Sequence, residues 1–219
     1  MRTELDQRLA ATPVIPLISG DDPMIAVETA KALQEGGLSV IEVVMRSDAA
    51  QDCMEAIIAE TQDVIVGAGT VLTLDQAQSL HASGAAFIVC PGLVDEIARY
   101  CIDQDIPVYP GTMTAGEVQR AYALGLRDVK FFPASLAGGV PMLRALGSVF
   151  REMRFMPTGG ISAENLSDYL ALPHVLACGG SWLTPRAAVD SCEFGTIKKL
   201  AREAAAIAAR SRGKEQDNG

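Results

Sequence analysis

An α/β fold of the (β/α)8 (TIM) barrel type, with an extra helix at the N-terminus and a long one at the C-terminus, is what these 219 residues predict. Three observations carry that expectation. A β-rich apolar run ending in Gly, Pro, Ser or Thr is followed by a helix-like segment, and this phrase recurs eight times. Eight such units in ~200 residues fit a small barrel, whereas a doubly wound sheet would rarely hold so many. No shift of composition marks a linker, so residues 1–219 read as a single domain.

Taken in order, residues 1–11 make a short amphipathic helix. The apolar runs then fall at 13–18, 38–44, 63–68, 86–90, 106–109, 128–132, 153–156 and 175–178. Helical patterns, with apolar residues three and four apart, occupy 23–34, 93–102 and 115–124. Gly36, Gly84 and Gly125 stand where helices commonly stop, a few residues before the next strand. Residues 193–210 form a closing helix, and 211–219 read as a polar, frayed tail.

Composition narrows the function. At 49% hydrophobic residues, the chain can build a large core. A net charge of −9 argues against nucleic acid or an anionic membrane as a partner. A small anionic substrate remains compatible, because backbone amides and a few arginines bind anions locally. Cys53, Cys90, Cys101, Cys178 and Cys192 are odd in number and lack CxxC spacing, which suits reduced thiols of a cytoplasmic protein. Cys90 and Cys178 fall in strand-like runs and the other three in helix-like segments. No N-terminal apolar region reads as a signal peptide, and no run of 18 apolar residues reads as a membrane span. His81, on a helix surface, and His174, in a loop, are too few and too far apart for a His-rich metal site. The sequence holds no GxSxG, HExxH or GxxxxGK[ST] motif.

The chemistry concentrates on one lysine. Four of the five lysines fall in polar, helix-like or tail segments, but Lys130 lies inside the apolar run Asp128-Val129-Lys130-Phe131-Phe132-Pro133. A buried ammonium is costly unless paired or neutralised, and burial lowers a lysine pKa by up to ~3–5 units. A partly neutral lysine can attack a carbonyl and form a Schiff base. Glu42 is the other charged residue deep in an apolar run, and it shares one side of its strand with Val44 and Arg46. Desolvation and ion pairing pull the Lys130 and Glu42 pKa values in opposite directions, and a raised glutamate suits acid/base work near pH 7. The other reading is a buried structural ion pair. Arg46 is a candidate carboxylate clamp or else a solvated loop arginine.

Two Gly-Gly pairs, Gly159-Gly160 and Gly179-Gly180, end the seventh and eighth strands, where barrels of this kind hold phosphate. Bare amides at a helix N-terminus would bind the anion, with Ser162 capping the helix after strand seven and Ser181 adding a hydroxyl. Alternatively these glycines only make tight turns.

The stretches Gly36-Gly37, Ile41-Glu42-Val43, Gly67-Ala68-Gly69-Thr70-Val71, Pro91-Gly92, Pro110-Gly111, Lys130-Phe131-Phe132-Pro133-Ala134, Pro157-Thr158-Gly159-Gly160-Ile161 and Gly179-Gly180-Ser181-Trp182-Leu183 lie in this order across residues 13–204. Together they resemble the 2-keto-3-deoxy-6-phosphogluconate (KDPG) aldolases, which also act as 4-hydroxy-2-oxoglutarate aldolases. The resemblance implies a class I pyruvate aldolase needing no metal or cofactor, built as a homotrimer of (β/α)8 barrels. It implies that Lys130 is the Schiff-base lysine and Glu42 the general acid/base. It places Arg46, Thr70 and Pro91 at the pyruvate end, and Gly159, Gly160, Gly180 and Ser181 at the distal phosphate. Phe132 and Thr158, within the shared motifs, complete the expected substrate contacts. Ser135 departs from the family pattern, where glutamate often follows Pro-Ala, and this change bears on the aldehyde end of the substrate. An aldolase for the galactonate-derived isomer, a phosphosugar isomerase or epimerase, and a non-catalytic phosphometabolite-binding barrel are the competing readings.

Overall fold

The computed structural model describes residues 2–216. Helix α1 (Arg2–Ala11) leads into β1 (Val14–Ile18), α2 (Pro23–Glu35), β2 (Val40–Val44), α3 (Ala50–Glu60) and β3 (Ile65–Gly69). Then come α4 (Leu74–Ala82), β4 (Ile88–Val89), α5 (Asp95–Asp103), β5 (Val108–Tyr109), β6 (Gly111–Thr112) and α6 (Ala115–Ala123). The chain ends with β7 (Asp128–Phe131), α7 (Gly139–Val149), β8 (Arg154–Pro157), α8 (Leu166–Leu170), β9 (Cys178–Gly180), α9 (Arg186–Asp190) and α10 (Phe194–Gln216).

Local chemistry explains several boundaries. The Asp22 carboxylate accepts from the Met24 and Ile25 amides, and Pro23 opens α2 where a missing N–H is harmless. Thr114 and Glu117 form a reciprocal capping box on α6. Gly84 and Gly125 follow α4 and α6 with φ of +96° and +91°, a backbone open to glycine at no steric cost. At the end of α2 that conformation falls on Gly37 (φ +96°). Its neighbour Gly36 is small for another reason: a Cβ there would lie 2.3 Å from the Ala201 Cβ on α10.

The strands form a curled parallel sheet in two parts. One runs β5-β4-β3-β2-β1-β9, the other β6-β7-β8, and every pairing is parallel. The parts meet at residues 108–112, where Pro110 interrupts one extended run. On the other side, single bridges join Phe155 to Val175 and Thr158 to Gly179. Strand residues alternate between two cores. Ile41, Val43, Val66, Ala68, Val129 and Phe131 pack against the helices. Val40, Ile65, Phe87, Val89, Tyr109, Met156 and Leu176 fill the concave side together with Leu5 and Leu9 of α1. There Arg154 pairs with Asp128 at 2.6 Å and with Asp6 of α1 at 3.3 Å. Among the described residues, no helix is long and apolar enough to cross a membrane.

Several sequence expectations need correction. The eighth strand was expected at 175–178, but β9 is Cys178–Gly180, so Gly179 and Gly180 lie within a strand rather than in a turn after it. Close packing demands their smallness: a Cβ on Gly179 would sit 2.3 Å from the Thr158 hydroxyl, and one on Gly180 2.0 Å from the Trp182 ring. The helix after strand seven starts at Leu166 behind Asn165, not at Ser162. The Asn165 side chain accepts from the Ser162 amide and donates to the Gly160 carbonyl, which holds 160–165 as a turn. Residues 211–216 continue α10, while 217–219 of the expected tail lie outside the described residues. Cys192 sits in a turn with φ +54° instead of a helix.

Candidate active site

Lys130 and Glu42 come from different parts of the sheet and meet on its concave side. β7 carries Lys130 opposite Gly111 on β6 and Met156 on β8. β2 carries Glu42 between Leu17 on β1 and Gly67 on β3. The ammonium stands 3.6 Å from the Glu42 carboxylate, and the two side chains are 5% and 0% exposed. Neither Glu42 oxygen has a hydrogen-bond partner among the described residues. The carboxylate therefore faces a charge while its lone pairs stay uncommitted, an expensive arrangement for a purely structural group. The Phe132 ring, 5.2 Å from Nζ, adds a cation–π contact.

The lysine's backbone is held firmly. Its amide donates to the Pro110 carbonyl at 2.9 Å, and its carbonyl accepts from the buried Thr112 hydroxyl at 3.0 Å. Thr112 escaped the sequence reading; its position two residues past Pro110, on the strand beside Lys130, becomes informative only once the register is known. Cys90, at the end of β4, has its thiol pushed up to about 12, chiefly by burial and then by Cys101, with Lys130 lowering and Glu42 raising it. The thiol stays neutral and belongs to the site's wall.

The remaining predicted residues divide into those the fold gathers and one it leaves apart. Thr70 follows β3 with φ +59°, an uncommon conformation for a β-branched residue. Pro91 presses its carbonyl against Gly111, where a Cβ would lie 2.0 Å away. Gly159 and Gly160 turn with φ of +96° and +76°. The turn is laced to the loop after Lys130: Ala134 and Ser135 amides donate to the Thr158 and Gly159 carbonyls at 2.8 and 3.0 Å. Thr158 is buried against Gly179, and Ser135 stands beside Gly160. Ser181 is exposed just beyond Gly180. Arg46, by contrast, is exposed past the end of β2 and lines a surface cleft of about 520 Å³ with Asp48, Asp75 and Gln76. Among the described residues it makes no ion pair.

Fold and site together define a parallel α/β protein with an amine–carboxylate centre buried among the strands of its curled sheet. Comparison with known proteins sharpens this. The aldolase family described as KDPG and KHG aldolase matches residues 5–200. The KHG/KDPG aldolase of Escherichia coli (strain K12) is 43% identical over 93% of this chain and 95% of its own length. The KDPG aldolase of Legionella pneumophila, crystallised with pyruvate captured at low pH as a covalent carbinolamine intermediate, superposes with a TM-score of 0.89 at 37% identity, covering 94% of this chain and all of that one. The 2-keto-3-deoxy-6-phosphogluconate aldolase of Zymomonas mobilis ZM4, with 3-phosphoglycerate, gives a TM-score of 0.88 at 37% identity, covering 94% and 97% of the two chains. The chain belongs to the KDPG and KHG aldolase family.

Proposed function

We propose that this chain is a class I lyase that cleaves 2-dehydro-3-deoxy-6-phosphogluconate to pyruvate and glyceraldehyde 3-phosphate, and 4-hydroxy-2-oxoglutarate to pyruvate and glyoxylate. The observation that carries the reading is the 3.6 Å approach of Lys130 to a fully buried Glu42 from two separate parts of the sheet. In its neutral form, Lys130 Nζ attacks the C2 ketone, and loss of water leaves a protonated imine. Glu42 takes the proton of the C4 hydroxyl. The C3–C4 bond breaks, its electrons pass into the imine, and the aldehyde leaves. Glu42 returns the proton to C3 of the enamine, and hydrolysis frees pyruvate and the lysine. Phe132, Thr70 and Pro91 border the keto-acid end in this scheme, and Arg46 swings from the rim to its carboxylate. Thr158, Gly159, Gly160, Gly180 and Ser181 take the phosphate through amides and hydroxyls. This role rests on the left-handed glycine turn and its neighbouring strand end, without a helix N-terminus.

The same reading extends to the whole chain. The two sheet parts, joined at 108–112 and by the bridges from β8 to 175 and 179, are taken as one eight-stranded (β/α)8 barrel forming a single domain. A homotrimer follows from the family resemblance, and the exposed side chains of Leu72 and Met113 offer apolar surface to it. Five free cysteines suit the reducing cytoplasm.

Pyruvate release, followed with the purified protein and 2-dehydro-3-deoxy-6-phosphogluconate, tests the activity. Lys130→Met should abolish release, and Glu42→Gln should lower turnover by about 10²–10⁴-fold, both in folded protein. Turnover by folded Lys130→Met would overturn the assignment.

A further inference from the structure

Beyond Ile65, strand β3 is bare where it faces the concave side. Ile65, Gly67 and Gly69 share that side at a spacing of two, and both glycines are buried. Neither has the left-handed backbone found at Gly37 or Gly159, so conformational freedom does not account for them. Volume does. A Cβ on Gly67 would lie 2.3 Å from the Phe87 ring. A Cβ on Gly69 would lie 2.0 Å from Glu42 Oε1 and 2.6 Å from both its Cδ and Cγ. The Glu42 side chain thus occupies the space that a side chain at 69 would fill.

This matters because hydrogen bonds do not orient the carboxylate: both of its oxygens lack a partner among the described residues. Packing and the Lys130 charge are what remain to aim it. We infer that Gly69 is a positioning residue, whose missing side chain forms the slot that directs the Glu42 carboxylate toward Lys130. The role assigned to Gly69 is exerted through Glu42. The inference rests on the acid/base role proposed for Glu42, but its packing half stands independently of that role. Thr70, with φ +59°, directly follows Gly69 where the strand ends.

The consequence is a dependence of one residue on the other. Gly69→Ala must push the carboxylate aside, and a misplacement of about 1 Å lowers turnover by about 100-fold. Binding of the keto acid to Lys130 should persist, so kcat falls while KM changes little, and pyruvate remains trappable on the lysine. In a Glu42→Ala background the collision is absent.

The test is a double-mutant cycle on the full chain, reading both the unfolding midpoint and pyruvate release. Gly69→Ala alone should lower both. Added to Glu42→Ala, it should lower neither further. Should Gly69→Ala fail to fold by itself while the double variant folds, the coupling is shown just as directly. An equal loss of midpoint in both backgrounds, or unchanged turnover in folded Gly69→Ala, would overturn the inference. Failure of the aldolase reading appears separately, as wild-type protein that releases no pyruvate, and the midpoints still decide whether Gly69 seats Glu42.

Discussion

The Lys130–Glu42 pair illustrates how close a buried ion pair comes to energetic balance. At 3.6 Å and an effective dielectric near 20, the attraction is on the order of 4–5 kcal/mol. Desolvating each ion opposes it by several kcal/mol. With no hydrogen bonds on the carboxylate to tip that balance, the pair adds little net stability, and its presence in the core points to reactivity. His174 shows the opposite use of burial. Its Nε2–H donates to the Leu143 carbonyl at 2.9 Å, and the ring packs edge-on against Phe155. Burial lowers its pKa below the ordinary 6.5, the Leu143 contact opposes that shift, and Arg144 adds to it. Between the ordinary and the lowered value, the unfolded chain holds a proton that the folded chain does not. This contribution to stability is therefore intact above about pH 6.5 and lost as pH falls through the folded value. Urea unfolding midpoints should drop between about pH 7.5 and about pH 5.5 in the wild type and drop less in His174→Gln; parallel decreases would contradict this.

At the scale of elements, α1 does more than begin the chain. Leu5 and Leu9 are 1% and 0% exposed within the concave core, and Asp6 reaches Arg154 on β8. The helix closes the end of the curled sheet opposite Lys130 and Glu42. Leu9→Ala should destabilise the protein by about 2–5 kcal/mol in denaturant unfolding, with kcat for pyruvate release retained because the site lies at the other end. An unchanged midpoint would show that α1 packs loosely. Elements also mark where the sequence was readable. Lys130 and Glu42 stood out because a charge in an apolar run breaks the pattern that burial imposes. The repeat of strand and helix was visible through its turn residues. Gly179-Gly180 was read as a turn because a glycine pair looks the same in either place; its parallel pairing with Ile15 and Pro16 of β1 puts it in a strand. Likewise Ser162 is a good helix cap locally, but Asn165 takes the Ser162 amide and the Gly160 carbonyl and delays the helix to Leu166. Gly69 and Thr112 matter through cross-strand neighbours, which no local pattern encodes.

For the molecule as a whole, a net charge of −9 would repel a phosphorylated keto acid at long range. In the proposed scheme binding comes from short-range groups: an amine deep in the curled sheet, a left-handed glycine turn, and an arginine at the rim. The Gly159-Gly160 turn, proposed above to take the phosphate, and the lysine strand are mechanically one unit, since Ala134 and Ser135 bond to Thr158 and Gly159. Holding both ends of a substrate on one rigid unit fixes the scissile bond between them. The central claim is that Lys130 becomes covalently joined to the keto acid. Borohydride reduction of the wild-type protein with pyruvate, followed by peptide mass mapping, measures this directly. The account predicts a single stable pyruvate adduct on the peptide containing Lys130, whereas an adduct on another residue, or none in folded protein, would contradict it.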